Sequence, residues 1–146
     1  MIRQISQAEE VFASNLFVEY EKESSVLKRI PANPDVETYQ ALLNIGCLVC
    51  FGAYVDNKMV GFISVLSHTA PHYGVRISVT ESFFVSIEYR SKGIGVKLLR
   101  EAERYAKSID SKYLMISAPV GSQLEKLMHT HKHYEPSNAI FLRSLV

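Results

Sequence analysis

One stretch, Glu81 to Lys107, restricts the fold more than any other part of this 146-residue chain: ESFFVSIEYRSKGIGVKLLREAERYAK. Val79 to Ile87 is rich in β-branched and aromatic residues and predicts a strand. Arg90 to Gly95 holds two glycines one residue apart and predicts a tight turn. Beyond the turn, Leu98, Leu99, Ala102, Tyr105, Ala106 and Ile109 recur at three- and four-residue spacing. Lys97, Arg100, Glu101, Glu103, Arg104 and Lys107 fill the opposite side. That is the pattern of an amphipathic helix. The first N–H groups of such a helix have no internal acceptor, and the aligned peptide dipoles make that end partly positive. A strand that enters a helix through a glycine turn therefore offers an anion site, and phosphate is its natural ligand. Gly93 and Gly95 bring no Cβ and so allow close backbone approach, while Arg90 and Lys92 add positive charge.

Two phosphate loops fail on specific residues. A dinucleotide fingerprint needs a third glycine where this chain has Leu98, and a Walker loop needs a hydroxyl after Lys97, where Leu98 stands again. What remains is Arg-x-x-Gly-x-Gly, Arg90 to Gly95. This resembles the acetyl-CoA pyrophosphate loop of the GCN5-related N-acetyltransferase (GNAT) superfamily, and Phe84 to Tyr89 resembles that family's fourth strand and its exit. Ile87 departs from the pattern, since many members have proline there. The resemblance is specific over Glu81 to Ala118 and extends to the rest by element order.

Length and composition agree with one domain, residues 1–146. Nearly half the residues are apolar, enough for a proper core without staples. A net charge of +1 argues against bulk nucleic-acid binding. Met1 to Glu10 has no apolar core and does not read as a signal peptide. Ala41 to Val55, the longest apolar region, is too short to span a bilayer. A cytoplasmic protein is the expectation. Cys47 and Cys50 are too few for a secreted disulfide framework and read as structural thiols in a buried strand. A zinc site using them with His129, His131 and His133 lacks a usual ligand spacing, so no metal is expected.

Along the chain, Ile2 to Ile5 predicts a first strand. Ser6 with Glu9 predicts a capping box for a helix running to about Glu21. Lys22 to Ala32 reads as a loop, and Asn33-Pro34 as the start of a helix that Gly46 stops. Leu48 to Val55 and Met59 to Ser67 predict a hairpin around Asp56-Asn57-Lys58, with Gly61 at a bulge or close approach. Val75 to Ile87 is a third antiparallel member. Lys112 to Ala118 follows a right-handed crossover and should lie parallel to it. Ser122 to His129 predicts a short helix, and Tyr134 to Leu145 one or two closing strands. The order β-α-α-β-β-β-α-β-α-β is that of the GNAT fold: a mixed α/β structure with a mostly antiparallel sheet, one splayed parallel pair, and helices on both faces.

The resemblance implies that pantetheine lies between the two splayed strands, pairing with backbone groups of Phe84, Val85 and Ser86. The Val85 N–H would face the thioester carbonyl, and such a donor is worth roughly 3–4 kcal/mol where it has been removed. Arg90, Ser91, Lys92, Gly93, Ile94, Gly95 and Val96 would hold the pyrophosphate. Amine acetylation needs a base. Glu81 is the first candidate, since even spacing puts it on the face of Val85. His68 and His72 are alternatives, because a histidine near neutral pKa suits the task. The family's acid is a tyrosine in a Tyr-x-x-x-Gly-Phe-like segment; here His129 takes the tyrosine's place and His133-Tyr134 replaces Gly-Phe. His129 or Tyr134 would then be the acid, or the thiolate would leave unassisted. The acceptor would lie between the Lys22–Pro34 region and the Thr69–Gly74 turn, with Glu21, Glu23 and Asp35 available to attract a cationic amine.

The leading reading is an acetyl-CoA-dependent N-acetyltransferase acting on a primary amine of a small molecule or a protein. The alternative is a non-catalytic acyl-CoA-binding module of the same fold. Members of the family often pair through their late strands, so a homodimer is an expectation of the resemblance alone.

Overall fold

The computed structural model describes residues 1–24 and 33–145. The elements are β1 (Ile2–Ile5), α1 (Ala8–Phe12), α2 (Asn15–Ser24), α3 (Val36–Asn44), β2 (Leu48–Val55), β3 (Lys58–Ala70), β4 (Val75–Val85), a 3₁₀ turn (Ile87–Tyr89), α4 (Ile94–Ser108), β5 (Leu114–Met115) and α5 (Gln123–Thr130). The strands form one sheet in chain order, antiparallel except for the parallel pair β4–β5.

β2 and β3 are apolar on both faces because both faces are covered. α4 packs Leu98 and Ala102 onto Val49, Phe51, Val60, Ile63 and Val65. On the other face Val11 and Leu16 meet Cys50, Met59, Phe62 and Phe84. The β2–β3 hairpin turns through Asp56 and Asn57, with φ of 48° and 60°, as a tight primed turn requires. Gly61 lies beside a bulge, where Ala53 faces Gly61 but Tyr54 faces Met59. A Cβ on Gly61 would lie 3.1 Å from the Phe84 carbonyl oxygen and 3.2 Å from Leu98, so both parts of the expectation hold.

Several local expectations are corrected. Ser6 does not cap α1. Gln40 of α3 takes that role, accepting from the Ala8 N–H at 2.9 Å and donating to the Ser6 carbonyl at 3.0 Å. The first long helix is divided into α1 and α2, and at the break the Ser14 hydroxyl bonds the Val11 carbonyl at 2.7 Å, a local bond that competes with the helix. Asp35, not Asn33, caps α3, accepting from the Thr38 N–H at 3.1 Å and the Thr38 hydroxyl at 2.7 Å. These bonds hold its carboxyl below the usual range. β5 covers just Leu114–Met115. The expected strands in Tyr134 to Leu145 do not form among the described residues; Ile140, Phe141, Leu142 and Leu145 face solvent, and Pro136 removes a ladder donor. The Lys22–Ala32 loop lies mostly outside the described residues.

Candidate active site

The expected anion site lies where β4 runs out. Ser86 donates its N–H to the Val60 carbonyl at 2.9 Å, the last such bond to β3, and the chain then winds through the 3₁₀ turn. β4 therefore ends at Val85 rather than Ile87. Ser91 and Gly93 take left-handed conformations, φ 66° and 76°, and Gly93 stands at the N-cap of α4 with no side-chain cap. The first helical bond runs from the Lys97 N–H to the Gly93 carbonyl, 3.1 Å. The N–H groups of Ile94, Gly95 and Val96 thus have no carbonyl within the helix to reach.

The two glycines do different work. A Cβ on Gly93, at the N-cap of α4, would meet nothing within 4 Å and would stand in open space. A Cβ on Gly95 would instead point at β4, 3.7 Å from Val85 and 3.8 Å from Phe83. Those are ordinary contacts, so Gly95 does not open the anion side; it keeps α4 close to the strand. Gly95→Ala is therefore expected to leave acetyl-CoA affinity within about twofold. It should also raise the melting temperature slightly, since alanine in a helix gains up to about 1 kcal/mol over glycine. Calorimetric titration and a melting curve check both.

The cations at the loop are also unequal. Lys92 sits over the Tyr89 ring, Nζ 4.8 Å from its centroid. Arg90 turns away from the helix end. Its Nη atoms bond both oxygens of Glu23 on α2 at 2.9 and 2.6 Å, its Nε donates to the Val85 carbonyl at 2.9 Å, and it lies 5.2 Å over the Phe84 ring. Its charge is paired, so Arg90 braces the end of β4, and Lys92 is the turn's other cation.

β4 and β5 pair at Ser78–Leu114 and Val79–Met115 and then separate. The Ser117 N–H already bonds the Thr80 side chain, 2.9 Å, rather than its backbone. With the Ser86 N–H directed to β3, strand alternation turns the backbone groups of Phe83 and Val85 to the opposite edge, where the Val85 carbonyl accepts from Arg90 and its N–H has no strand to pair with. That edge faces the gap.

Glu81 does not share a face with Val85. Ser64 faces Ser82 while Val65 faces Thr80, so Glu81 is the extra residue of a β-bulge. Bulges re-aim side chains. Phe83 and Val85 pack on the α4 side, whereas Glu81 accepts hydrogen bonds from Tyr39 of α3 and, at 2.7 Å, from the Ser64 hydroxyl. Its carboxylate is solvent-exposed. Tyr20 stands nearby, its ring against Phe62 and Phe84. Burial, helped by the Glu81 charge, pushes the Tyr20 and Tyr39 phenols above the ordinary value, so both keep their protons. Burial likewise pushes the Cys50 thiol up to about 12, the property of an inert packing residue.

The remaining expected residues stand apart from Glu81. His129 is exposed in the last turn of α5. Tyr134 donates to Glu103 of α4 at 2.8 Å, and burial together with that carboxylate pushes its phenol up. His68 is exposed on β3 and His72 packs edge-on against Tyr73 in the following turn. That turn begins beyond Ala70, six residues along β3 from Ser64, or about 20 Å. Tyr39 and Ser64 were not singled out by sequence, and Glu23, expected to attract an amine, pairs with Arg90 instead. The one signal was Ser64, a lone hydroxyl inside the apolar run Val60 to Leu66.

Residues 13–133 match the model of the Acetyltransferase (GNAT) family. The chain belongs to that family. As a GNAT acetyltransferase it shares its fold with solved structures across almost its whole length. A ribosomal-protein-alanine N-acetyltransferase from Brucella melitensis biovar Abortus 2308 is 21% identical, with 99% of this chain and 98% of that one covered and a TM-score of 0.75. An aminoglycoside acetyltransferase from an uncultured soil metagenomic sample, in complex with trehalose, is 19% identical, with 100% and 96% covered and a TM-score of 0.79. A GNAT family acetyltransferase from Staphylococcus aureus is 16% identical, with 99% and 98% covered and a TM-score of 0.71. No curated protein matches the sequence. Among the described residues, no helix is long and apolar enough to cross a membrane.

Proposed function

We propose that this acetyltransferase takes its acetyl group from acetyl-CoA and passes it to a primary amine by direct attack. The observation that carries the reading is the free end of α4 standing beside an unpaired strand edge, one site for a pyrophosphate and one for an amide-bearing arm. Acetyl-CoA supplies an activated thioester; the rest is done by the chain. Lys92 and the N–H groups of Ile94, Gly95 and Val96 hold the anion. The Val85 N–H, fixed on the gap edge, donates to the oxygen that gains charge during attack. Glu81, exposed and held by two hydroxyls, takes the proton that a cationic amine must lose first. A general base of this kind contributes about 10²- to 10⁴-fold.

We assign no acid to Tyr134, because its proton is already given to Glu103. A thiol is acidic enough, near pKa 8.5 in an ordinary setting, for the sulfur to leave as thiolate. Tyr134→Phe should therefore change turnover by less than about threefold and cost stability by roughly 1 kcal/mol, the usual net worth of one hydrogen bond. A tenfold loss of turnover would return Tyr134 to the mechanism.

The acceptor class is tested by free-thiol release from acetyl-CoA with sisomicin and with a peptide beginning in alanine. One related structure holds sisomicin in complex, and another belongs to a ribosomal-protein-alanine acetyltransferase. Thiol release that rises with either amine supports the reading. Release unchanged by any primary amine would oppose it.

A further inference from the structure

Glu81 is an exposed side chain with three rotatable bonds on a bulge, and left alone it would populate several rotamers. It is not left alone. Its Oε1 accepts from the Tyr39 hydroxyl and its Oε2 from the Ser64 hydroxyl at 2.7 Å. Ser64 has a single proton, which it gives to Glu81, so the 2.5 Å contact between the Ser64 and Ser82 hydroxyls has Ser82 as donor. The two donors come from opposite sides: Ser64 from the sheet and Tyr39 from α3.

α3 is itself fixed in place. Gln40, the residue after Tyr39, bonds the Ala8 N–H and the Ser6 carbonyl at the β1–α1 junction. The Tyr39 ring packs edge-on against Phe12, centroids 4.7 Å apart. The phenol therefore arrives at Glu81 from an anchored helix. Because burial and the carboxylate hold its proton in place, it acts as a donor throughout the working pH range. Each carboxylate oxygen keeps a further lone pair toward solvent, and these are the sites left for a proton arriving from an acceptor.

We infer that Tyr39, with Ser64, is a positioning residue: it fixes the Glu81 carboxylate in the orientation that receives the acceptor's proton, without itself touching the reacting atoms. This rests on Glu81 being the base. The test uses the full chain, acetyl-CoA and whichever amine, sisomicin or the alanine peptide, raises thiol release, with free thiol as the readout, for wild type, Tyr39→Phe, Glu81→Gln and the double variant. Phenylalanine keeps the ring packed on Phe12, so the fold is retained. The expected result is a roughly tenfold lower kcat for Tyr39→Phe, the scale of one hydrogen bond to a charged group. KM for acetyl-CoA should be unchanged, and the double variant should be no slower than Glu81→Gln alone. A slow Glu81→Gln beside a Tyr39→Phe as fast as wild type would overturn this inference and leave the base in place. Losses that multiply in the double variant would also overturn it, since Tyr39 would then act without Glu81. A Glu81→Gln variant as fast as wild type would remove the base reading, and this inference with it.

Discussion

Glu81→Gln is expected to lower acetyl transfer by about 10²- to 10⁴-fold while leaving acetyl-CoA affinity as it is. Glutamine has the same shape but no basic oxygen, so it cannot take the proton from an ammonium. The surroundings tolerate it. The amide oxygen can still accept from Tyr39, and the amide N–H₂ can donate to Ser64, whose hydroxyl then turns its proton toward Ser82. The carboxylate is exposed, so no buried charge is stranded by the change. Affinity should hold because the proposed anion site lies on α4 and its entry turn, whereas the Glu81 carboxylate bonds Tyr39 of α3 and Ser64 of β3. Rate and affinity are measured separately, by thiol release at saturating acetyl-CoA and by calorimetry. A parallel fall in both would mean that Glu81 serves binding instead of proton transfer.

Gly93→Val is expected to cost at least a hundredfold in acetyl-CoA affinity. Gly93 has φ 76° and open space where a Cβ would stand, and it is the N-cap of α4, next in chain to the free N–H groups of Ile94, Gly95 and Val96. A branched side chain there meets the incoming phosphate, and the left-handed backbone adds about 1–2 kcal/mol of strain. The melting temperature should drop by a few degrees and the fold should remain. The comparison with Gly95→Ala is informative, because the two glycines are one residue apart in sequence and point their absent side chains in different directions. Unchanged affinity in Gly93→Val would remove the turn from the binding site.

What the sequence made legible was local. The strand from Val79, the glycine turn and the α4 stripe are each defined within a few residues, and the hairpin at Asp56-Asn57 and the short helix α5 were readable for the same reason. What it hid depends on partners far along the chain. The orientation of Glu81 is set by a register shift between β3 and β4, so even spacing along β4 alone gave the wrong face. Tyr39 reaches Glu81 across 42 positions, and Glu23 reaches Arg90 across 67. Gln40 displaces Ser6 as the cap of α1 from 32 positions away. The closing strands were inferred from apolar residues that had a strand's composition but, among the described residues, no ladder to join.

The most direct test of the account is a thermal-shift titration with acetyl-CoA, with NAD and ATP as controls. A ligand at a hundred times its dissociation constant stabilises the folded state by about 2.7 kcal/mol, which moves the midpoint of a domain this size by several degrees. That shift is expected with acetyl-CoA, with little or none for NAD and ATP, and it should be lost in Gly93→Val. No shift at millimolar acetyl-CoA, or an equal shift with all three nucleotides, would contradict it.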